Sequence, residues 1–405
     1  MSESVVIIGA GQAAAQLIAS LRMEGYAGAI TLVGNEPFIP YQRPPLSKAF
    51  LAGELAAERL FIKPEEFYAE AKCDLLLRTK AIALDRPRKS VKLNDGRELT
   101  YTTLALTTGS RVRKLDLQGA DLPSCFYLRG IEDVDRLRER LKPGERLTII
   151  GAGYIGLEVA AVAAKLGLKV TVLEALTRVM ARTASQPVSE FYEAEHRRRD
   201  VDIRCGVKID SIEQNGVALR IKTSSGDVDT DFILIGVGIV PNAELAVAVG
   251  LKVDNGIVVD QTSRTDDPWI YAIGDCTNHP CRHSPKGRVR LESVQNAIDQ
   301  AKHAAAAICG KPRPYDEVPW FWSDQYDLKL QIAGLGAPGD DIVLRGDPKT
   351  RSFAAFRLRD ATIAGVEAVN AAPEYMMGRR LIAARARVAP ERLADKAVPM
   401  KDMAS

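Results

Sequence analysis

The sequence lacks any uninterrupted apolar run of about 18 residues, so no segment reads as a membrane-spanning helix. It lacks an excess of one charge: 55 basic against 52 acidic residues leave +3, too little to argue for a nucleic-acid partner. Ahead of the apolar Val5–Ile8, Met1-Ser2-Glu3-Ser4 has no basic stretch, which is not the charge pattern of a secretory signal. Cysteine is sparse and scattered. Cys73, Cys125, Cys205, Cys276, Cys281 and Cys309 read as reduced, buried thiols of a cytoplasmic protein rather than as a disulfide framework. What remains is an ordinary globular profile, 46% hydrophobic and 26% charged, which excludes a disordered or collagen-like chain. A length of 405 residues allows two to three domains.

One internal repeat organises the chain. Val5-Val6-Ile7-Ile8-Gly9-Ala10-Gly11 returns as Leu147-Thr148-Ile149-Ile150-Gly151-Ala152-Gly153. Each copy is an apolar run, a glycine turn and an Ala/Leu-rich stretch, predicting helices over Gln12–Met23 and Tyr154–Leu166 that stop near Gly25 and Gly167. Each is followed by a second β-branched run, Ile30–Val33 and Val170–Leu173. Two strand–turn–helix–strand units predict two dinucleotide-binding domains. The first glycine of each (Gly9, Gly151) permits the tight bend, and the second (Gly11, Gly153) lets backbone approach a pyrophosphate at a helix N-terminus. A third small residue, Ala14 or Gly156, allows close helix–strand packing. A carboxylate after the second strand, Glu36 or Glu174, is placed for a ribose hydroxyl.

A further pattern separates flavin from nicotinamide. Thr265–Asp275 reads Thr-x6-Ala-x-Gly-Asp, with a buried strand over Trp269–Ile273, a turn at Gly274 and Asp275 placed to accept from a ribityl hydroxyl. Thr107-Thr108-Gly109 follows the strand Leu104–Leu106 and gives another close backbone approach. Ile235-Gly236-Val237-Gly238 is a similar glycine-rich strand end.

With these patterns, the segments Arg43-Pro44-Pro45-Leu46-Ser47-Lys48, Gly151-Ala152-Gly153-Tyr154-Ile155-Gly156-Leu157-Glu158, Arg290–Asn296 and Pro319-Trp320-Phe321-Trp322-Ser323-Asp324-Gln325 make the resemblance specific. Over nearly its whole length the chain resembles the pyridine nucleotide-disulfide reductase superfamily. Within it, the chain is most similar to the FAD-dependent ferredoxin reductases of oxygenase systems, the putidaredoxin reductase type. The resemblance implies an α/β fold with two Rossmann-like dinucleotide-binding domains, glutathione reductase-like, plus a C-terminal α/β domain. It divides the chain into an FAD-binding domain (1–114 and 241–315), an NAD-binding domain (115–240) and a C-terminal domain of α+β type (316–405). It implies FAD contacts at Ala13, Ala14, Lys48, Ala81, Arg129, Asp275 and Val294, and Arg43, Thr108, Gly109 and Trp322 stand with them as cofactor-binding candidates. Ile155 and Gly238 are expected to serve NADH. Relatives carry Asp where this chain has Asn35, so Asn35 and Glu36 both stand as candidates for the FAD ribose.

The subclass rests on an absence. Disulfide reductases of this fold need a cysteine pair beside the flavin soon after the first fingerprint, and Tyr41–Gly53 holds no cysteine. The expected chemistry is therefore hydride transfer from NADH to FAD, then single electrons to a [2Fe–2S] ferredoxin serving a cytochrome P450 or ring-hydroxylating dioxygenase. Lys48 is expected near flavin N5, paired with Glu158, which would hold the nicotinamide carboxamide. Tyr154 would cover the nicotinamide pocket. The helix from Val294 would aim its N-terminus at the flavin, an effect of order 1–2 kcal/mol. Glu174 favours NADH over NADPH, with Arg178 close by as the residue that would accept a 2′-phosphate.

Arg379, Arg380, Arg385 and Arg387 in Tyr375–Pro390 read either as a patch for an acidic ferredoxin or as a solvated helix face. Trp320 and Trp322 resemble aromatics at the flavin edge. Cys276 and Cys281, with His279 and His283, read as loop residues rather than a metal site. His196 reads as a surface packing residue and His303 as structural. A monomer or weak homodimer is expected, without nucleic acid, membrane or metal. Rival readings are a rubredoxin reductase or general NADH diaphorase of the same fold, and an FAD/NADH redox-sensing interaction protein.

Overall fold

The structure, a computed structural model, describes residues 3–404. Met1 and Ser2, part of the amino-terminal stretch read for a secretory pattern, lie outside the described residues. The chain forms two compact units: Met1–Gln42, Glu58–Arg111 and Val240–Pro319 make the first, and Arg43–Ala57, Val112–Ile239 and Trp320–Ser405 the second.

The first unit is built on a five-stranded parallel sheet in the order Ile270–Ala272, Thr103–Leu106, Ser4–Ile8, Ala29–Val33, Cys73–Leu76. Its central strand is apolar without alternation because both faces are covered. Val5 and Ile7 face one core with the helices Gln12–Met23 and Val294–Ile308, while Val6 and Ile8 face a second core with Leu104 and Leu106. The two helices meet through alanines, Ala13 and Ala14 on one and Ala297, Ala301 and Ala304 on the other. Small side chains let their backbones come close, and that brings the start of each helix to the carboxyl end of the sheet.

The second unit contains the twin of that sheet, again parallel, in the order Asp202–Cys205, Lys169–Glu174, Arg146–Ile150, Phe232–Ile235, Cys125–Phe126. In both sheets the fingerprint strand lies between its βαβ partner and a strand from much later in the chain. The repeat read in the sequence is thus a repeat of topology. The helix expected over Tyr154–Leu166 spans Tyr154–Lys165, with Leu166 as its cap. The unit also holds an antiparallel sheet in the order Trp320–Gln325, Leu328–Gly334, Thr362–Val369, Ser352–Arg359, Asp341–Asp347, against which the helix Ala372–Ala383 packs. Among the described residues, no helix is long and apolar enough to cross a membrane.

Candidate functional site

In the first unit the strand Ser4–Ile8 ends at Gly9, whose φ of +110° is open to glycine but strained for other residues. Any Cβ there would also strike the carbonyl of Thr107, whose own hydroxyl donates to Gly9 O at 2.7 Å. The helix Gln12–Met23 then begins at Gly11 with no side-chain cap, and nothing lies within 4 Å of where a Gly11 Cβ would be. Uncapped first-turn N–H groups beside open space are what a pyrophosphate needs. Ala14 is fully buried under the turn. Asn35 is exposed, and Glu36 accepts from the Tyr41 hydroxyl at 2.5 Å.

Thr108 and Gly109 close the neighbouring strand end, where Thr108 Oγ1 donates to Asn242 O at 2.6 Å. Asp275 accepts from Ser110 Oγ at 2.9 Å, and its turn is tied down by Gln300, which accepts from Gly274 N at 2.6 Å. Val294 starts its helix one residue after Ser293, which caps Asn296 N at 3.1 Å. Ala81 is buried in the second core. The residues present fit a bound dinucleotide. Sequence reasoning missed Ser110 and Gln300, whose roles depend on partners brought in from distant segments.

The second fingerprint repeats the design. Gly151 has φ +105° and a Cβ there would lie 2.5 Å from Gly236 O, while a Cβ on Gly156 would collide with Gly151 O. Gly153, like Gly11, borders open space. Glu174 accepts from Ala152 N at 2.7 Å and Leu176 N at 2.8 Å, so the backbone presents its carboxylate at the strand end. Arg178 spends its guanidinium on Ala184 O and Ala181 O, at 2.9 and 3.0 Å. Ile155 is 43% exposed and Gly238 is exposed beside Arg182. These residues also fit a dinucleotide.

On the same helix the Tyr154 ring lies 4.8 Å from that of Phe321, and its hydroxyl is buried without a well-formed hydrogen bond. Burial pushes its phenol pKa up.

One turn further along, Glu158 is 4% exposed and carries its carboxylate into the interior of the second unit. Burial is the largest influence and pushes its pKa up; Lys48 first, then Ser323 and Ser47, push it back down. Lys48 Nζ lies 2.7 Å from Oε2, Ser47 Oγ donates to Oε2 at 2.5 Å, and Ser323 Oγ donates to Oε1 at 2.6 Å. The short helical turn Pro44–Ser47, set by two prolines, aims Ser47 and Lys48 at the carboxylate. Oε2 thus takes two donors and Oε1 one, which leaves Oε1 able to accept one more. Arg43 Nη1 donates to Arg129 O at 2.6 Å. Trp322 lies on the strand Trp320–Gln325, its ring 5.7 Å from that of Trp320.

Ser47 and Ser323 fall within the segments Arg43–Lys48 and Pro319–Gln325, and sequence reasoning missed their roles. A signal was present for Ser323: in a strand beginning Trp-Phe-Trp, Ser323 and Gln325 share the face of Phe321, and polar residues on a buried face call for partners.

Two expectations are corrected. His196 is not a surface residue: it is fully buried, bonded to Gln325 and Tyr326, and burial pushes its pKa down to about 4. The basic stretch is not one helix face. Its helix ends at Ala383, so Arg385 and Arg387 lie beyond it, and Arg379 sits over the Trp320 ring at 5.9 Å. All six cysteines are free thiols, and burial is the first cause pushing each pKa up, as far as about 12 for Cys73. His279 is buried and its pKa is lowered by burial to about 4, and His303 Nδ1 lies 2.9 Å from Arg313 O.

Comparison with known proteins agrees with this geometry. The family model described as pyridine nucleotide-disulphide oxidoreductase matches residues 3–301, and the one described as reductase C-terminal matches residues 320–404. The chain belongs to the pyridine nucleotide-disulphide oxidoreductase family and is an oxidoreductase. More narrowly, it is 45% identical, over 100% of its length and 99% of the relative's, to the probable ferredoxin reductase CtmF of Castellaniella defragrans. Among solved structures, it resembles the ferredoxin reductase for the CYP199A2 system from Rhodopseudomonas palustris, at 40% identity and TM-score 0.96 over 100% of both chains. It also resembles the reductase in the covalent putidaredoxin reductase–putidaredoxin complex, at 40% identity and TM-score 0.95 over 99% of this chain and 98% of that one.

Proposed function

We propose that this chain is an FAD-dependent NADH:ferredoxin oxidoreductase that passes electrons to a [2Fe–2S] ferredoxin of a cytochrome P450 or ring-hydroxylating dioxygenase system. The observation that carries the reading is the pairing of half-buried Lys48 with the buried Glu158 carboxylate. Lys48 stands in the segment after the first fingerprint where disulfide reductases of this fold keep two cysteines, and this segment offers an ammonium and a hydroxyl instead. Full-length relatives named as ferredoxin reductases support it.

When bound, the flavin accepts a hydride and releases electrons one at a time, which nicotinamide alone does not do. The protein binds, orients and excludes water. The first fingerprint, with Asp275 and Asn35 or Glu36, holds FAD. The second, with Ile155, Gly238 and Glu174, holds NADH, and Glu158 orients the nicotinamide carboxamide through its remaining acceptor site. Lys48 supplies positive charge beside that carboxylate. Tyr154, packed on Phe321 at the start of the second fingerprint helix, yields its place to the nicotinamide. The engagement of Arg178 with local carbonyls supports NADH over NADPH. The division into an FAD domain (1–114, 241–315), an NAD domain (115–240) and a C-terminal domain (316–405) goes with this reading. A cytoplasmic location fits six free thiols.

The test is an anaerobic titration of purified protein with NADH, then with candidate ferredoxins, following cytochrome c reduction. Rapid, repeated reduction of a ferredoxin is expected, slower by about an order of magnitude or more with NADPH. A colourless protein that cannot be reconstituted with FAD, or equal turnover with both nucleotides, would sink the assignment or its NADH half respectively.

A further inference from the structure

Hydrogen bonding does not stop at the Glu158 carboxylate. Behind Ser323, which donates to Glu158 Oε1 at 2.6 Å, Gln325 Nε2 donates to Ser323 Oγ at 3.2 Å. Gln325 Oε1 lies 2.9 Å from His196 Nε2, and the Tyr326 hydroxyl 2.9 Å from His196 Nδ1. Ser323, Gln325 and His196 are fully buried, while Tyr326 is half-buried under the Arg199 guanidinium, 4.2 Å from its ring centre. The chain of contacts joins the helix Tyr154–Lys165, the strand Trp320–Gln325 and the last turn of the helix Gln186–Arg197.

Its polarity follows from valence. A carboxylate only accepts, so Ser323 gives its single proton to Glu158. Ser323 Oγ must then accept, which turns the amide of Gln325 toward it and the carbonyl of Gln325 toward His196. His196 therefore carries its proton on Nε2, and its bare Nδ1 accepts from Tyr326. Every donor points the same way, toward Glu158, and bonds aligned in this manner reinforce one another.

We propose that Ser323, Gln325 and His196 are positioning residues for the reduction by NADH: a fixed-polarity chain that holds Glu158 as an oriented carboxylate facing Lys48. The inference rests on the role given to Glu158 above. The chain orients and does not conduct, because the Gln325 amide would have to become an imidic acid to hand on a proton. Besides Gln325 and Tyr326, the groups facing His196 are Glu195 and Arg199. Those facing Glu158 are Lys48, Ser47 and Ser323, with Tyr154 and Tyr192 nearby.

The test has two readouts on the holoprotein. With 15N-histidine labelling only four histidines appear, and His196 is assigned by its loss in His196→Gln or, if that variant does not fold, by elimination with substitutions of the other three. A neutral imidazole protonated on Nε2 is expected at pH 7. It should give way to a tautomer mixture in Ser323→Ala, where Gln325 is free to turn. An Nδ1-protonated or charged ring, or a tautomer unmoved by Ser323→Ala, overturns the proposal.

The second readout is the limiting rate of reduction by NADH. Ser323→Ala and His196→Leu are expected to slow it about 10-fold with little change in NADH affinity, and His196→Gln, which keeps an N–H donor, to recover most of the loss. Glu158→Gln separates the two levels. If it reduces at the wild-type rate, the role of Glu158 is wrong. If it is slow while Ser323→Ala is not, only the positioning chain is wrong.

Discussion

A charged side chain survives in a protein interior only where donors replace the water it has lost. Glu158 has three, and one of them, Lys48, is itself charged. Lys48→Ala is accordingly expected to slow reduction by NADH about 10-fold or more while leaving FAD retention near normal. Stopped-flow reduction rates and the flavin-to-protein absorbance ratio check the two halves, and reduction at the normal rate would remove Lys48 from the chemistry. At His196 the pH dependence is set by burial, which lowers its pKa from an ordinary 6.5 to about 4. Between those values the unfolded chain binds a proton that the folded one refuses. Its contribution is therefore full above pH 6.5 and is lost as pH falls toward 4. This amounts to about 2 kcal/mol between pH 7 and pH 5. His279, whose pKa is likewise lowered to about 4, acts in the same sense. Urea midpoints at pH 7 and pH 5 should fall less with acid in His196→Gln than in the parent, and equal falls would show that His196 is not responsible.

The helix Gln186–Arg197 carries His196, and its position depends on a second buried carboxylate. Glu367, on the strand Thr362–Val369, accepts from Ser185 N and Oγ at 2.8 and 2.7 Å and pairs with Arg357 at 2.5 Å. It caps the start of the helix, where the macrodipole favours negative charge. Glu367→Ala would leave the largely enclosed Arg357 guanidinium without its partner, and a loss of about 3–5 kcal/mol is expected in denaturant unfolding. A loss under about 1 kcal/mol would mean the pair is solvated. Elements of this kind divide by legibility. The two fingerprint helices start where the glycines place them, because strand, turn and helix are neighbours in sequence. The alternation of the strand Trp320–Gln325 marked Ser323 and Gln325 as polar residues on a buried face, but their partners, like the whole role of Glu367, were not legible, because a polar residue in a strand acquires a purpose only from the element packed on it.

With a net charge of only +3, the whole molecule offers little long-range attraction, so any steering must be local. Arg380, Arg385 and Arg387 are exposed, with Arg379 over Trp320. If they receive an acidic ferredoxin, kcat/KM for ferredoxin should drop several-fold from low to physiological salt, and Arg385→Glu with Arg387→Glu should remove most of that dependence. Rates flat across the salt series would leave these arginines as a solvated surface. By itself the sequence determined the two parallel-sheet units, the glycine cradles and the absence of a thiol pair. Each is written in consecutive residues, where chain geometry permits few alternatives. Only the tertiary structure decided that His196 is an interior residue and that Glu158 is held by Ser47, Lys48 and Ser323. Burial and hydrogen-bond partnership arise when distant segments pack, and no local spacing encodes them.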